Sequence, residues 1–215
     1  GDVAKAKLNA ALQLTARGLP FIYYGEEIGM QNSRLPAKDS QDAVAHHFRW
    51  VPQLGHDILR GSSILLNRDE CRTPMQWDAS PNAGCCPAGV KPWLPADPRY
   101  PQCNVAAQQH DPESLLNCYK RFLTARRATP ALHAGSSTFI PLPQADILAY
   151  KRTAAVADKT QEALIFLNMS ARTVSFDNPA PDAALLVSTR SRSEALCGTY
   201  IHLAPWEGIV LLRSS

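Results

Sequence analysis

Residues 18–30 read GLPFIYYGEEIGM, and this stretch decides the fold class. The run from Leu19 to Tyr24 is apolar without alternation, a pattern typical of a strand that is buried on both faces of a parallel sheet. Pro20 stands at the start of the run, where a missing backbone N–H is tolerated. The sequence therefore predicts a buried strand at residues 19–24.

The segments on either side of this strand are predicted to be helical. Before it, Asp2 is a suitable N-cap, apolar residues follow at helical spacing, and Gly18 provides a stop. After a long loop, Asp111 is the expected N-cap of a second helix, with Pro112 in its first turn and Pro130 at its end. One strand–loop–helix unit resembles a single repeat of a (β/α)8 TIM barrel, which needs eight repeats and about 250 residues.

Residues 25–110 contain no long periodic element. They are rich in Pro, Asn, Asp, Gly and Trp, and loops of this length are usually functional. One or two short helices are expected within the loop, for instance around residues 42–48.

Beyond Ala134, short apolar runs alternate with turn-forming residues at the spacing of antiparallel strands in a sandwich. The predicted fold class is therefore α/β plus all-β: the last βα unit of a TIM barrel, followed by a C-terminal antiparallel β-sandwich. We expect the boundary to separate residues 1–133 from residues 134–215.

Composition and charge argue against several classes of function. The net charge of +3 comes from 22 basic and 19 acidic residues that are scattered along the chain, so neither a nucleic-acid nor a membrane partner is expected. No apolar run approaches the ~20 residues of a membrane-spanning helix. The first residues do not resemble a signal peptide, and because they lack an initiator Met the chain is expected to begin inside a longer protein.

The cysteine pattern favours free thiols. The six cysteines are Cys71, Cys85, Cys86, Cys103, Cys118 and Cys197. They form no CxxC pair, and the adjacent Cys85 and Cys86 are poorly placed for a mutual disulfide. His46 and His47 have no matching cysteine nearby, so neither a metal nor another cofactor is expected. Free thiols favour a reducing compartment, which predicts a cytoplasmic protein.

Two long motifs carry a resemblance to a known family. The first is residues 18–30, and the second is NRDECRTPMQWD at residues 67–78, followed by NAG at 82–84 and PWLP at 92–95. Together they resemble the oligo-1,6-glucosidase and α-glucosidase branch of glycoside hydrolase family 13. The resemblance is close through residues 1–135 and weaker in the β-rich part.

The resemblance implies a fold and an activity. It places residues 18–27 at the eighth strand of a catalytic barrel and makes residues 134–215 the C-terminal β-sandwich domain. It implies a retaining α-glucosidase that hydrolyses α-glucosidic bonds in short oligosaccharides. In this family the nucleophile, the acid/base and a third Asp belong to earlier barrel strands. We therefore expect the 215 residues alone to lack catalytic residues and to be inactive.

Arg68 and Arg72 are the predicted substrate-binding residues. A pocket for a glucosyl unit needs hydrogen-bond donors in fixed geometry, and a guanidinium offers five donors and stays charged. The two arginines are four residues apart, so a turn of helix would place them on one face. The resemblance implies that one or both reach the sugar pocket. The alternative is a structural pair that is tied to Asp69 and Asp78.

Glutamate and tryptophan residues are further candidates for catalysis or sugar binding. Glu26 and Glu27 suggest the carboxylate pair of a glycosidase, but adjacent residues on a strand point to opposite faces, and the family does not use these positions for catalysis. Trp77 and Trp93 are candidates for stacking on a sugar ring, whereas Trp206 is expected to serve packing.

Three alternative functions stay open at this stage. A non-catalytic relative of the same fold could act as a partner protein, like the heavy chains of amino-acid transporters. Trehalose-phosphate hydrolase, sucrose hydrolase and trehalose synthase share many of the same motifs. The C-terminal strands could also form a carbohydrate-binding module.

Overall fold

The structure is a computed structural model that describes residues 2–36, 39–48, 50–62, 67–192 and 198–214. Contacts divide it into two compact units. We call Gly1–Tyr23 with Asp111–Ser215 the helix–sheet unit, and Tyr24–His110 the loop unit. None of the helices in the described ranges has the length and apolar character that a bilayer crossing requires.

The regular elements are as follows. The helices are α1 (Val3–Thr15), α2 (Ala43–His47), α3 (Gln53–Gly61), α4 (Val105–Gln109), α5 (Leu115–Ala128) and α6 (Pro130–His133). Short 3-10 helices occupy Glu26–Ile28, Arg68–Cys71 and Pro81–Gly84. The strands are β1 (Ser136–Phe139), β2 (Ile147–Val156), β3 (Lys159–Asn168), β4 (Val174–Asp177), β5 (Ala184–Ser188), β6 (Tyr200–Leu203) and β7 (Gly208–Ser214).

The strands form two antiparallel sheets. The larger has the order β1-β2-β3-β7-β5, and β4 pairs with β6 in the smaller. Side chains of both sheets share one apolar cluster, in which the rings of Phe166 and Phe176 lie 5.2 Å apart. The antiparallel strands that were predicted beyond Ala134 are therefore confirmed.

The five-stranded sheet is covered on its other face by helices. Successive side chains of β3 point to opposite faces, so Leu164 and Phe166 enter the cluster between the sheets, while Ile165 and Leu167 enter a second core. The helical residues of this second core include Leu8, Leu14, Leu115, Tyr119, Phe122 and Leu132. One core is thus shared by elements on both sides of the predicted boundary at residues 133 and 134, which stays a prediction.

The strand that was predicted at residues 19–24 is not formed. This segment has no regular structure before a turn at Tyr24, and Leu19 and Phe21 are 78% and 80% exposed. A strand inside a parallel sheet needs hydrogen-bonded neighbours on both sides. Among the described residues no strand pairs with this segment, although Gln13 Nε2 donates to the Phe21 carbonyl and the Tyr24 hydroxyl donates to the Thr73 carbonyl at 3.0 Å. The apolar pattern is present, but the described residues include no neighbouring strands that would pair with it as in a barrel.

Two of the predicted helix starts are confirmed and one is wrong. Asp2 caps α1, and Asp42 caps the short helix α2 within the long loop. The second long helix begins later than predicted, at Leu115, with the Ser114 hydroxyl accepting from the N–H of the third residue beyond it. Asp111 instead accepts a bond from the Glu113 N–H at 2.9 Å, which forms a turn that precedes the helix.

Arg152 is buried between α1 and the sheet. Its side chain is 1% exposed and donates to three carbonyl oxygens: Thr15 at 2.7 Å, Gly135 at 2.8 Å and Ser136 at 3.1 Å. Burial lowers the pKa of the guanidinium. The bonds attach the last turn of α1 to the segment that begins β1.

Arg126 of α5 completes the cap. It donates to the carbonyls of Leu14 at 2.8 Å, Ala16 at 3.3 Å and Gly18 at 2.6 Å, and burial lowers its pKa too. Carbonyl groups at the end of a helix have no partner within the helix and carry partial negative charge. The two arginines satisfy these carbonyls and hold α1 against α5 and the sheet.

Replacing Arg152 by Met should lower the free energy of unfolding by about 2–4 kcal/mol, because two buried carbonyls and one partly buried carbonyl lose their donor. Urea titration followed by far-ultraviolet circular dichroism measures this loss. The matched control is Arg172→Met, since the Arg172 side chain is 77% exposed in its pair with Asp146. That control should lose at most about 0.5 kcal/mol. Equal losses in the two variants would contradict the capping role.

Candidate functional site

Both predicted site residues lie in the loop unit. Arg68 begins the 3-10 helix Arg68–Cys71, and Arg72 follows it as the C-cap residue. A 3-10 helix has three residues per turn, so residues four apart are not aligned along it. The expectation that the two arginines share one helical face is therefore wrong, and each meets a different carboxylate.

Arg68 is held by Asp42. Its Nε lies 3.1 Å from both carboxylate oxygens, its Nη2 lies 2.6 Å from Oδ1, and its backbone N–H donates to Oδ2 at 3.0 Å. These bonds lower the pKa of Asp42 to about 2, and the same contact raises the pKa of Arg68. The Asp42 side chain is 1% exposed, whereas that of Arg68 is 50% exposed. The arginine thus reaches solvent in a fixed orientation.

Asp69 holds the segment that carries Asp42. Its Oδ2 accepts from the Ser40 hydroxyl at 2.8 Å, the Gln41 N–H at 2.7 Å and the Asp42 N–H at 2.8 Å. Its Oδ1 lies 3.6 Å from Nη1 of Arg72. The buried Asp69 therefore fixes the backbone at Asp42 and also anchors Arg72.

The structural alternative for the arginines is partly realised. Arg72 is paired with Asp69, as that alternative supposes, but Asp78 bonds to Ser80 and not to either arginine. The Asp78 carboxylate accepts from the Ser80 N–H at 2.8 Å and from its hydroxyl at 2.5 Å, and these bonds lower the pKa of Asp78. Asp78 therefore stabilises a turn.

A second carboxylate–arginine pair lies elsewhere in the loop unit. Arg99 donates to Asp97 through Nε at 2.7 Å and Nη2 at 2.5 Å, and to the Gln31 side chain through Nη1 at 2.6 Å. Burial raises the pKa of Asp97, but the bonds from Arg99 and from the Ser33 hydroxyl outweigh it and lower the pKa to about 2. This pair ties the chain near residue 31 to the chain near residue 99.

Sequence reasoning missed the roles of Asp42 and Asp97. In the sequence, Asp42 is marked only by its position near the start of a predicted short helix. Its partner Arg68 lies 26 residues away. Asp97 and Arg99 are two residues apart, and that spacing is the one local signal that could have revealed the second pair.

Glu26 and Glu27 are arranged differently from the prediction. They lie in a 3-10 helix and not on a strand, so the argument from opposite strand faces does not apply to them. Gly25 and Gly29 flank this helix with φ of 84° and 77°, and a side chain at Gly25 would collide with Met30. The GEEIG part of the first motif therefore forms a tight turn.

The tryptophans fall into two groups. Trp77 and Trp93 of the loop unit are 52% and 65% exposed. Trp206 packs against the helix-covered core, with Nζ of Lys5 lying 4.6 Å from the centre of its ring. The packing role that was predicted for Trp206 is confirmed, while sugar stacking by Trp77 or Trp93 stays a prediction.

The described cysteines carry free thiols. Within the described ranges no group of three or more His, Cys, Asp and Glu residues is placed to hold a metal ion. Cys71, Cys85, Cys86, Cys103 and Cys118 are not disulfide-bonded. Cys197 lies outside the described residues.

The arrangement around Arg68 is suited to donating hydrogen bonds. Asp42 occupies Nε and Nη2, and among the described residues none accepts a hydrogen bond from Nη1. Asp42 is unsuited to general acid catalysis, because a carboxyl with a pKa of about 2 is ionised at neutral pH. The chemistry available at this site is recognition of polar groups such as hydroxyls.

Comparisons with known proteins agree on one group of enzymes. The family model described as alpha amylase, catalytic domain, matches residues 2–135. The oligo-1,6-glucosidases of Halalkalibacterium halodurans and Parageobacillus thermoglucosidasius are 33% and 34% identical over 98% and 97% of this chain. The crystal structure of trehalulose synthase MutB from Pseudomonas mesoacidophila MX-45 matches 98% of this chain with a TM-score of 0.77 and 33% identity. In each case this chain spans 38% of the relative.

Acid should destabilise the loop unit through Asp42 and Asp97. Each has a pKa of about 2 in the folded chain, against 3.8 for an ordinary Asp. A carboxylate whose pKa is lowered by folding stabilises fully above its unfolded pKa, and this stabilisation is lost as pH falls. We expect a loss of about 1–2 kcal/mol for each group between about pH 4 and pH 2, reduced by the solvent exposure of the arginines.

Intrinsic tryptophan fluorescence of the Trp206→Phe background measures this loss in urea titrations at several pH values, because the remaining Trp50, Trp77 and Trp93 all lie in the loop unit. Asp42→Asn and Asp97→Asn should each flatten the acid dependence. Asp158→Asn alters an exposed turn residue and should leave the dependence as it is. A dependence of the same size in all three variants would refute the assignment.

Proposed function

This chain belongs to the alpha-amylase family of glycoside hydrolases, and from that membership we propose that it supplies sugar-binding arginines to a retaining α-glucosidase. The substrates of the whole enzyme are short oligosaccharides with α-glucosidic bonds. Because the chain spans 38% of its curated relatives, activity is proposed for a longer protein that contains it.

One observation carries the proposal: a half-exposed guanidinium that a buried carboxylate holds in place. Asp42 binds Nε and Nη2 of Arg68, so the side chain loses little conformational freedom when a ligand binds. Nη1 can then donate to sugar hydroxyls, and a charged donor makes the stronger class of hydrogen bond. We assign Arg68 as the main sugar-binding residue.

Arg72 has a supporting place in the proposal. Its side chain is 38% exposed, and it contacts Asp69 at 3.6 Å, a looser pairing than that of Arg68. Asp69 also holds the backbone of Asp42, so Arg72 and Arg68 are connected through one carboxylate. We propose that Arg72 binds sugar beside Arg68.

Bond cleavage is assigned to other residues. Retaining glycosidases use two carboxyl groups about 5–5.5 Å apart, and the general acid needs a raised pKa. Asp42 has a lowered pKa, and Asp69 already accepts three hydrogen bonds. These carboxylates hold arginines, and we propose that the nucleophile and the acid come from chain outside these 215 residues.

The exposed segment at residues 19–24 fits the same proposal. An apolar run with two exposed edges is stabilised when neighbouring strands pair with it. We propose that this segment is a barrel strand of the whole enzyme. Residues 1–133 then belong to the catalytic barrel, and residues 134–215 form the C-terminal domain.

Maltose or isomaltose should bind to the chain, and saturation-transfer NMR measures this binding. Arg68→Ala should weaken it about tenfold or more, because one charged hydrogen bond is worth about 1.5–3 kcal/mol. Asp42→Asn should weaken it less, since the guanidinium stays but loses its anchor. Arg34→Ala is the matched control: Arg34 is also exposed in the loop unit and is paired with Asp57. Equal binding by the wild type and Arg68→Ala would favour a non-catalytic relative.

The chain alone should release no glucose above the blank from isomaltose, maltose or a nitrophenyl α-glucoside. The physical reason is that Asp42, with a pKa of about 2, cannot act as a general acid, and that Asp69 already accepts three hydrogen bonds and pairs with Arg72. A glucose-oxidase assay measures release, and circular dichroism of the same sample verifies that the chain is folded. Release above the blank would overturn the assignment of cleavage to residues outside this chain.

A further inference from the structure

Two neighbouring thiols stand in an ordered loop of the loop unit and have no part in the proposed sugar site. Cys85 is exposed, Cys86 is half-buried, and neither is disulfide-bonded. They directly follow the 3-10 helix Pro81–Gly84. Both sulfurs therefore belong to one short segment that a small reagent can reach.

The backbone around the thiols is tightly specified. Asn82, Ala83 and Gly84 all have positive φ, at 59°, 57° and 70°. A Cβ at Gly84 would lie 2.8 Å from the Asp78 carboxylate, so this position accepts little besides glycine. The Trp77 N–H donates to the Ala83 carbonyl at 2.9 Å, which closes the turn.

The residues after the thiols are held as well. The Asn82 side-chain amide donates to the carbonyls of Pro87 at 3.2 Å and Val90 at 2.9 Å. The Cys86 thiol also points to the Val90 carbonyl, at 3.6 Å. The Asn82 side chain thus connects the start of the loop to its end, and Cys85 and Cys86 lie between these two points.

The two thiols interact with each other. Burial, and then a hydrogen bond with the Cys86 thiol, raise the pKa of Cys85. Adjacent positions place both thiols on one short segment, yet a direct bond between adjacent cysteines requires the sulfurs to approach to about 2.05 Å. A bridging atom with two bonds to sulfur spans a wider separation and avoids that distortion.

We propose that Cys85 and Cys86 form a dithiol site for trivalent arsenicals that carry one organic group. In the step, a compound R–As(OH)₂ reacts with both thiols, two As–O bonds break and two As–S bonds form. Each thiol proton leaves with a hydroxide, so two waters are released. Arsenic stays trivalent, and no oxidant or reductant is needed.

The number of ligands favours this class over a structural zinc ion. Zinc in structural sites takes four protein ligands in a tetrahedron, at about 2.3 Å for each sulfur. A monosubstituted arsenical needs two sulfurs, because its third bond is to its own organic group. Adjacent cysteines meet that requirement completely, and soft thiolates suit soft, thiophilic centres.

The test uses the reduced, folded chain and phenylarsine oxide, with intact-mass spectrometry under native conditions. We expect one phenylarsenic group per chain, released by dimercaptopropanol but retained in an equal concentration of 2-mercaptoethanol. Cys85→Ser and Cys86→Ser should each weaken binding about a hundredfold, because the second As–S bond no longer forms within the same loop.

Two controls separate this pair from the other thiols. Cys71→Ser and Cys103→Ser should bind as the wild type does, and the circular dichroism of every variant should match the wild type. Retention of a tightly bound adduct in the double variant Cys85→Ser/Cys86→Ser would overturn the proposal. Release by 2-mercaptoethanol would overturn it too, since it would indicate a single As–S bond. Neither result bears on sugar binding, which has its own assay.

Discussion

The helix–sheet unit depends on how the C-terminal end of α1 is satisfied. Arg126 and Arg152 donate to the last carbonyls of the helix, including those of Leu14 and Thr15. Buried guanidinium groups are unfavourable without compensation, and the negative end of a helix provides it without a carboxylate partner. Because one arginine comes from α5 and the other from β2, α1, α5 and the large sheet are joined in a single core. The direction in which the chain leaves α1 is fixed by the same bonds.

The loop unit is organised by buried carboxylates in place of long regular elements. Asp42, Asp69 and Asp97 each accept several hydrogen bonds, and each pairs with an arginine that is partly exposed. A buried carboxylate that is satisfied by backbone N–H groups fixes chain segments that are distant in sequence. The described parts of the long irregular region therefore have a defined conformation, and buried carboxylates hold the partly exposed side chains of Arg68, Arg72 and Arg99.

The sequence predicts correctly those elements whose formation depends on residues close together in the chain. The cap at Asp2, the short helix near residues 42–48 and the antiparallel strands follow from nearby residues, and they are present. The apolar run at residues 19–24 and the run inside β3 carry the same signal for a strand buried on both faces. β3 forms because β2 and β7 pair with its two edges, whereas the earlier run has no such neighbours among the described residues. The motif predicts Arg68 as a sugar-binding residue, which stays a proposal, and its partner Asp42 depends on a long-range contact that no local pattern encodes.

In the sugar-binding role that we propose for it, the Asp42–Arg68 pair takes no part in acid–base chemistry. With a pKa of about 2, Asp42 stays ionised from mildly acidic to alkaline pH, and its hold on Arg68 is constant over that range. A guanidinium does not lose its proton under the same conditions. The orientation of this donor is therefore independent of pH where glycosidases act. Any pH dependence of binding at this site between about pH 4 and pH 8 therefore does not come from the titration of Asp42 or of Arg68.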